Sequence, residues 1–408
     1  MSILIYNCNI IDGRSNEEKQ DCWVVIEGNK ISKISAGKPL QMDADTVIDA
    51  KGGFLLPGLV NLHVHMQRRH ASRGSELFRI ISTNVATGPE AQRILFALRN
   101  AWYELSRGIT TLRDLSSQTR VSNKLRDYFK DGLFNGPRLV TCGTGVCCTG
   151  GHGSHRNTGD AIEVDGQYEV MKAVRREIKE GAEFIKMMVS GGLGGMPDRE
   201  HPDWTEFTIE EIKAGVAAAH SHNKTVTVHA YGEQPPLTAL HAGVDGIEHG
   251  TRLTDEAIDI MVERGVYYVP TISGLTELCD REANKGSKEM AKLVHEIVIL
   301  PQRDSVKRAY KRGVLIGAGT DTLGELVQEI ELMQECGMTP MDAIKTATSN
   351  AACILQMGDR LGLVQEGYLA DLLLIDNNPL EDLGNLRNVN TVIRDGNIVT
   401  CEWICNLQ

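Results

Sequence analysis

The 408-residue chain has no run of about 18 uncharged apolar residues, so nothing in it is built to span a membrane. Its ten cysteines contain no CxxC pair, which argues against a finger-type structural zinc site, and they lack the paired spacing of a secreted disulfide framework. Cys147 and Cys148 are adjacent and read as packing residues, reduced like the others. Basic residues are in deficit: 43 Lys and Arg against 54 Asp and Glu give a net charge of −11, which disfavours nucleic acid and anionic lipid surfaces as partners. The start, Met1 to Tyr6, has no basic segment and soon meets Asp12-Gly13, so it does not read as a secretory signal, and a cytoplasmic location is expected. No GxSxG elbow supports a serine hydrolase, and no GxGxxG follows an early strand, which argues against an open dinucleotide-binding sheet.

What is present is a strand-rich texture at both ends and βα alternation between them. Ile3–Tyr6, Cys22–Ile26 and Lys30–Ile34 read as strands, with Glu27-Gly28-Asn29-Lys30 as a hairpin turn. Asp371–Ile375, Thr391–Arg394 and Asn397–Thr400 repeat the style, with Asp395-Gly396 as the turn. The two ends are expected to pair into one small β-sandwich domain, residues 1–57 with 358–408. Across 58–357, eight apolar strand candidates alternate with amphipathic stretches: Gly58–His65, Ile109–Asp114, Arg138–Gly143, Phe184–Ser190, Thr225–Tyr231, Gly246–His249, Tyr267–Ile272 and Leu315–Asp321. The stretches include Gln92–Arg107, Tyr168–Glu180, Ile209–His222, Asp255–Glu263 and Pro340–Leu355. The fold class this implies is α/β, a (β/α)8 TIM barrel, whose active site lies at the C-terminal ends of its strands.

Those strand ends carry an unusual set of side chains. The first ends in His63-Val64-His65, and residues i and i+2 of a strand face one side, so both imidazoles can enter the barrel mouth. The fifth ends at His229, the sixth at His249 and the eighth at Asp321, while the fourth carries Lys186 inside Phe184–Ser190. A lysine among apolar strand residues is costly to bury unless neutralised or paired. Five of eight strands ending in groups that suit a metal are hard to explain as core polars.

The constellation resembles the amidohydrolase superfamily, specifically its two-metal members. It does so through Pro57-Gly58-Leu-Val-Asn-Leu-His63-Val-His65, Lys186, His229, His249 and Gly319-Thr320-Asp321. Thr149-Gly-Gly-His152, Ser190-Gly-Gly192, Val228-His-Ala-Tyr231 and Ile247-Glu-His-Gly250 are similar to its prolidase-like branch, which includes Xaa-Pro dipeptidases and enzymes releasing arginine or lysine. Imidazolonepropionase is a more distant relative.

The resemblance implies that His63, His65 and Asp321 hold one divalent cation and His229 and His249 a second. Carbamylated Lys186 would bridge them, with zinc the favoured ion. Asp321 would move the proton of the attacking water to the leaving amine, while His152 and Tyr231 would contact substrate. A small amide substrate follows, a dipeptide or N-acyl amino acid, and a homo-oligomer.

Two other readings compete. A one-metal deaminase or cyclic-amidine hydrolase commonly has H-x-x-E at the fifth strand, but His229-Ala-Tyr-Gly-Glu233 is out of register and Lys186 would lack a role. A non-catalytic scaffold would have lost ligands that this chain keeps. Arg68, Arg69, His70 and Arg73 form a basic loop read as solvated, and His220, His222 and His241 fall on helical stretches and read as structural.

Overall fold

The computed structural model describes residues 2–40, 42–67, 88–154, 161–193, 200–284 and 288–399. The basic loop Arg68–Arg73 lies outside them.

The first strands are β1 (Ser2–Ile10), β2 (Lys19–Glu27), β3 (Lys30–Ala36), β4 (Thr46–Asp49) and β5 (Phe54–Pro57). With three strands from the other end, β15 (Leu372–Ile375), β16 (Val389–Arg394) and β17 (Asn397–Ile398), they form one eight-stranded sheet of order β17-β16-β15-β5-β1-β2-β3, β4 pairing with β1. The expected hairpins are there: Glu27 pairs with Lys30 and Arg394 with Asn397. β4 and β5 are additions to the reading from sequence. β15 runs antiparallel to β5, Leu372 opposite Pro57, which joins the two ends of the chain. Side chains alternate between two cores. Leu372 and Leu374 pack with Ile3, Val24 and Leu55, whereas Leu373, Ile375, Leu56 and Val392 pack into the core of the central region.

The central region holds β6 (Leu59–Val64), β7 (Ile109–Asp114), β8 (Arg138–Thr141), β9 (Gly145–Cys147), β10 (Ala161–Glu163), β11 (Ile185–Met188), β12 (Val226–Ala230), β13 (Gly246–His249) and β14 (Tyr267–Val269). Each of β6, β7, β11, β12, β13 and β14 is buried throughout, as parallel strands covered on both faces must be. β6-β7-β8 and β11-β12-β13-β14 are parallel ladders, and Glu183 N donates to Thr141 O at 2.8 Å between them. The eighth strand is irregular. Residues Leu315–Asp321 bond to β14 through Tyr268 and to β6 through Leu62 N→Ala318 O (2.9 Å) and Asp321 N→His63 O (2.8 Å), which closes the barrel. Gly319 permits this close approach to β6, because a Cβ there would lie 2.6 Å from that of His63. β9 and β10, which are not among the strands expected from the sequence, add a parallel pair beside β11.

Helices wrap the strands where the 3.6-residue period placed them, Glu90–Ser106, Gly166–Lys179, Ile209–His220 and Asp255–Arg264 among them. Thr208 and Glu211 form a capping box at the third of these. The expected single helix over Pro340–Leu355 is instead two, Pro340–Thr346 and Ser349–Ile354, because Thr348 leaves helical geometry (φ −133°, ψ −99°). Among the described residues no helix is long and apolar enough to cross a membrane.

Glu329, fully buried on helix Leu326–Glu335, accepts the backbone N–H groups of Ile272 (2.9 Å) and Ser273 (2.6 Å) and fixes the turn after β14. Burial pushes its carboxyl up from 4.5 to about 7. The folded chain therefore keeps this proton where the unfolded chain has lost it, and the stability so gained at low pH disappears as pH rises through about 7. Glu329→Gln is expected to flatten the fall in stability over that window, an effect of about 3 kcal/mol when complete. Denaturant melts across the window check this, and an unchanged slope refutes it.

Candidate active site

The C-terminal ends of the barrel strands bring the expected residues together. His63 and His65 end β6 with ring centroids 5.4 Å apart. Asp321 Oδ1 lies 3.4 Å from His65 Nε2 and 4.0 Å from His63 Nε2. His249 stands 5.0 Å from His63 and 4.8 Å from His229, centroid to centroid, so the four imidazoles form a continuous arc. Ligand atoms of His63, His249 and Asp321 all lie within 4.8 Å of one another, a spacing one ion could satisfy. His249 (φ 69°), Thr271 (φ 57°) and Asp321 (φ 53°) all adopt left-handed backbone, which costs a non-glycine residue about 1–3 kcal/mol and concentrates at functional sites.

Hydrogen bonds orient the rings. His63 Nδ1 faces Glu248 Oε2 at 2.8 Å, His65 Nδ1 faces Ser116 O at 3.3 Å and His249 Nδ1 faces Thr271 Oγ1 at 2.7 Å. In all three the outer nitrogen is occupied and Nε2 is turned to the mouth. His229 differs, its Nε2 lying 3.4 Å from Gly191 O. Burial, reinforced by neighbouring histidines and Lys186, holds the His229 and His249 imidazoles well below their usual pKa, so they stay neutral, as ligands must. Burial alone would raise the Asp321 carboxyl, but His63, His65 and His249 hold it well below the ordinary range.

Lys186 is the odd member. It is 2% exposed, and its Nζ has no hydrogen-bond partner among the described residues. Burial lowers its pKa to about 8 despite the pull of Glu248 and Asp321.

His152 stacks on His229 (4.1 Å, 12°), its Nδ1 2.8 Å from the buried Glu200 and its backbone N–H donating to Glu206 at 2.8 Å. Gly192 permits this, since a Cβ there would lie 2.4 Å from the His152 ring. Tyr231 is 4.6 Å from His229 and 5.0 Å from His249 between centroids, and it packs against Leu275, Val294 and Val298. Glu233 is exposed just before helix Gln234–Ala242. His220 and His241 pair locally on outer helices, with Asp245 and Glu256, whereas His222 lies in the turn after helix Ile209–His220 rather than on a helix and faces Ala218 O. Cys147 is buried and Cys148 half-buried, both free. Glu248 and Arg113 were missed by the sequence reading, although Glu248 lies inside a motif that it singled out.

Histidines facing an aspartate at the mouth of a parallel barrel form a candidate site for a divalent cation. The chain belongs to the amidohydrolase family, whose model matches residues 54–399. It is 30% identical to ochratoxinase from Aspergillus niger over 360 residues, covering 81% of this chain and 71% of that protein. Among solved structures, a Xaa-Pro dipeptidase with methionine in its active site is 33% identical (TM-score 0.87, 98% of this chain and 100% of that one). A prolidase in complex with N-methylphosphonate-L-proline is 30% identical, with the same TM-score and coverage. The activity is accordingly hydrolysis of a carbon–nitrogen bond, in a family that is typically metal-dependent.

Proposed function

We propose that this enzyme hydrolyses the amide bond of a small substrate, a dipeptide of Xaa-Pro or Xaa-Arg/Lys type or an N-acyl amino acid, with two divalent cations, most suitably zinc. The observation that carries the two-cation reading is the buried Nζ of Lys186, without a hydrogen-bond partner among the described residues and within electrostatic reach of Asp321, His229 and His249. His63, His65 and Asp321 would hold one cation, His229 and His249 the other, and the Lys186 carbamate would bridge them. Carbamate formation from the neutral amine and carbon dioxide, with loss of a proton, would replace the buried ammonium by an anion suited to neighbouring cations. Bound cations would polarise the carbonyl and acidify the attacking water. Asp321 Oδ takes that water's proton and passes it to the leaving amine. His152, half-open above His229, donates toward the carbonyl oxygen, and Tyr231 orients the substrate. The dipeptidase and prolidase among its structural relatives support the dipeptide class.

Elemental analysis of protein prepared with zinc and bicarbonate is expected to give about two cations per chain. A reproducible value near one, with every ligand intact, would shift the reading to a one-metal deaminase or cyclic-amidine hydrolase. A dipeptide and N-acyl amino acid library, read by free amine, then names the substrate. Tyr231→Phe leaves the cation ligands alone and is expected to raise KM by about tenfold, some 1.4 kcal/mol, with kcat little changed. Steady-state kinetics check it, and an unchanged KM removes Tyr231 from substrate binding.

A further inference from the structure

Beneath the arc of histidines lies a charged pair that the reaction as described does not use. Glu248 and Arg113 are buried, their side chains 0% and 3% exposed. Glu248 Oε1 accepts from Arg113 Nη2 at 2.5 Å and from Thr227 Oγ1 at 2.7 Å, while Oε2 faces His63 Nδ1 at 2.8 Å. Arg113 places its other donors on Leu62 O (Nε, 2.6 Å) and Tyr267 OH (Nη1, 2.9 Å), and its guanidinium lies over the rings of Phe184 (5.2 Å) and Tyr267 (5.4 Å). The pair thus ties β6, β7, β12, β13 and β14 together at one point.

Stability does not explain it. Two charges taken out of water seldom recover their hydration, and apolar residues of the same volume often serve a core equally well or better. The chemistry of the donors suggests another role. Arg113 and Thr227 both donate to Oε1, so that oxygen is committed and the group is fixed in orientation. Oε2 of the same ionised carboxylate can only accept, so His63 must carry its proton on Nδ1 and present the bare Nε2 to the mouth. Arg113 supplies the opposite charge, so the carboxylate does this without adding uncompensated negative charge below Lys186.

We propose that Glu248, locked by Arg113, is a positioning residue that fixes the tautomer of His63 and so makes Nε2 the atom offered to a cation. The inference rests on the cation-binding reading of the mouth, but the tautomer can be measured without any cation. The test is Glu248→Gln. Arg113 and Thr227 still demand an acceptor at the Oε1 position, so the amide oxygen sits there and the NH2 faces His63 Nδ1. That nitrogen must then accept, which moves the ring proton to Nε2 and blocks it.

Long-range 15N–1H correlation spectra of the metal-free protein are expected to show His63 as the Nδ1–H tautomer in the parent and as Nε2–H in the variant. Zinc affinity by chelator competition is expected to fall about 10–100-fold, the usual size for an outer partner of a ligand. Glu248→Leu with Arg113→Met removes both charges at once and serves if the single variant does not fold; it is expected to fold and to lose the pure Nδ1–H signal. An Nε2–H ring in the parent, or an unchanged Nδ1–H ring in the variants, overturns the proposal. If the parent takes up no zinc while its spectra behave as expected, the cation reading fails and the positioning role of Glu248 stands.

Discussion

Asp321→Asn should lower kcat by about 10²–10⁴-fold, the usual contribution of a positioned proton carrier, while the chain stays folded and much of the substrate affinity survives. The substitution is a clean probe for a backbone reason. Asp321 sits at φ 53°, in the left-handed region that asparagine tolerates as readily as aspartate. The amide keeps an oxygen near His65 Nε2, 3.4 Å from the parent carboxylate, but it cannot accept a proton, and it removes the one anion that His63, His65 and His249 share. Steady-state kinetics with cation content measured on the same sample check the result. Near-normal kcat with cations bound would reassign the proton transfer, and His152 would be the next candidate because its ring stacks on His229 at the mouth.

Lys186→Met should separate stability from function in opposite directions. In cation-free buffer depleted of carbon dioxide, the parent must bury an amine whose pKa is lowered from 10.5 to about 8, with no hydrogen-bond partner among the described residues. The folded state binds this proton less tightly than the unfolded chain. The resulting cost is therefore present below about pH 8 and vanishes above 10.5. Near neutrality it is on the order of 3 kcal/mol. Methionine fills a similar volume without the charge, so the variant should unfold at higher denaturant concentration at pH 7 and lose that advantage toward pH 10. The same variant should bind about one cation fewer per chain and have almost no activity. A variant less stable than the parent at pH 7 would mean that Lys186 has a structural role in the cation-free protein.

The histidines and the aspartate were legible because a buried parallel strand leaves a simple trace, an apolar run with a polar group at its C-terminal end, and Lys186 because it is a lone charge within such a run. Glu248 was not legible for a related reason. Strand alternation lets only one of Glu248 and His249 face inward, and the reading spent that place on the histidine. In the structure both turn inward: the backbone turns at His249 (φ 69°), whose ring packs against those of His63 and His229, while Glu248 stays in the barrel interior against His63 Nδ1. Arg113 hid in the same way, as one polar residue next to Asp114 in a strand that otherwise looked ordinary. β9 and β10 are three residues each, too short to carry a period. β5 was masked by Gly52-Gly53 before it and Pro57 at its end, which resemble a turn more than a strand.

β5 and β15 give their alternate side chains to different cores: Leu55, Leu372 and Leu374 to one, Leu56, Leu373 and Ile375 to the other. Two residues after β5 begins β6, the strand that ends in His63 and His65. The catalytic body therefore cannot be cut out as a free-standing module. Trimmed of its ends, it would show solvent a bare greasy seam where Leu373, Ile375 and Val392 had rested, and its first strand would lose the anchor that sets where the histidines begin. Anyone shortening this enzyme for expression or fusing a partner to it should treat the first and last strands as part of the machine, and attach cargo beyond them.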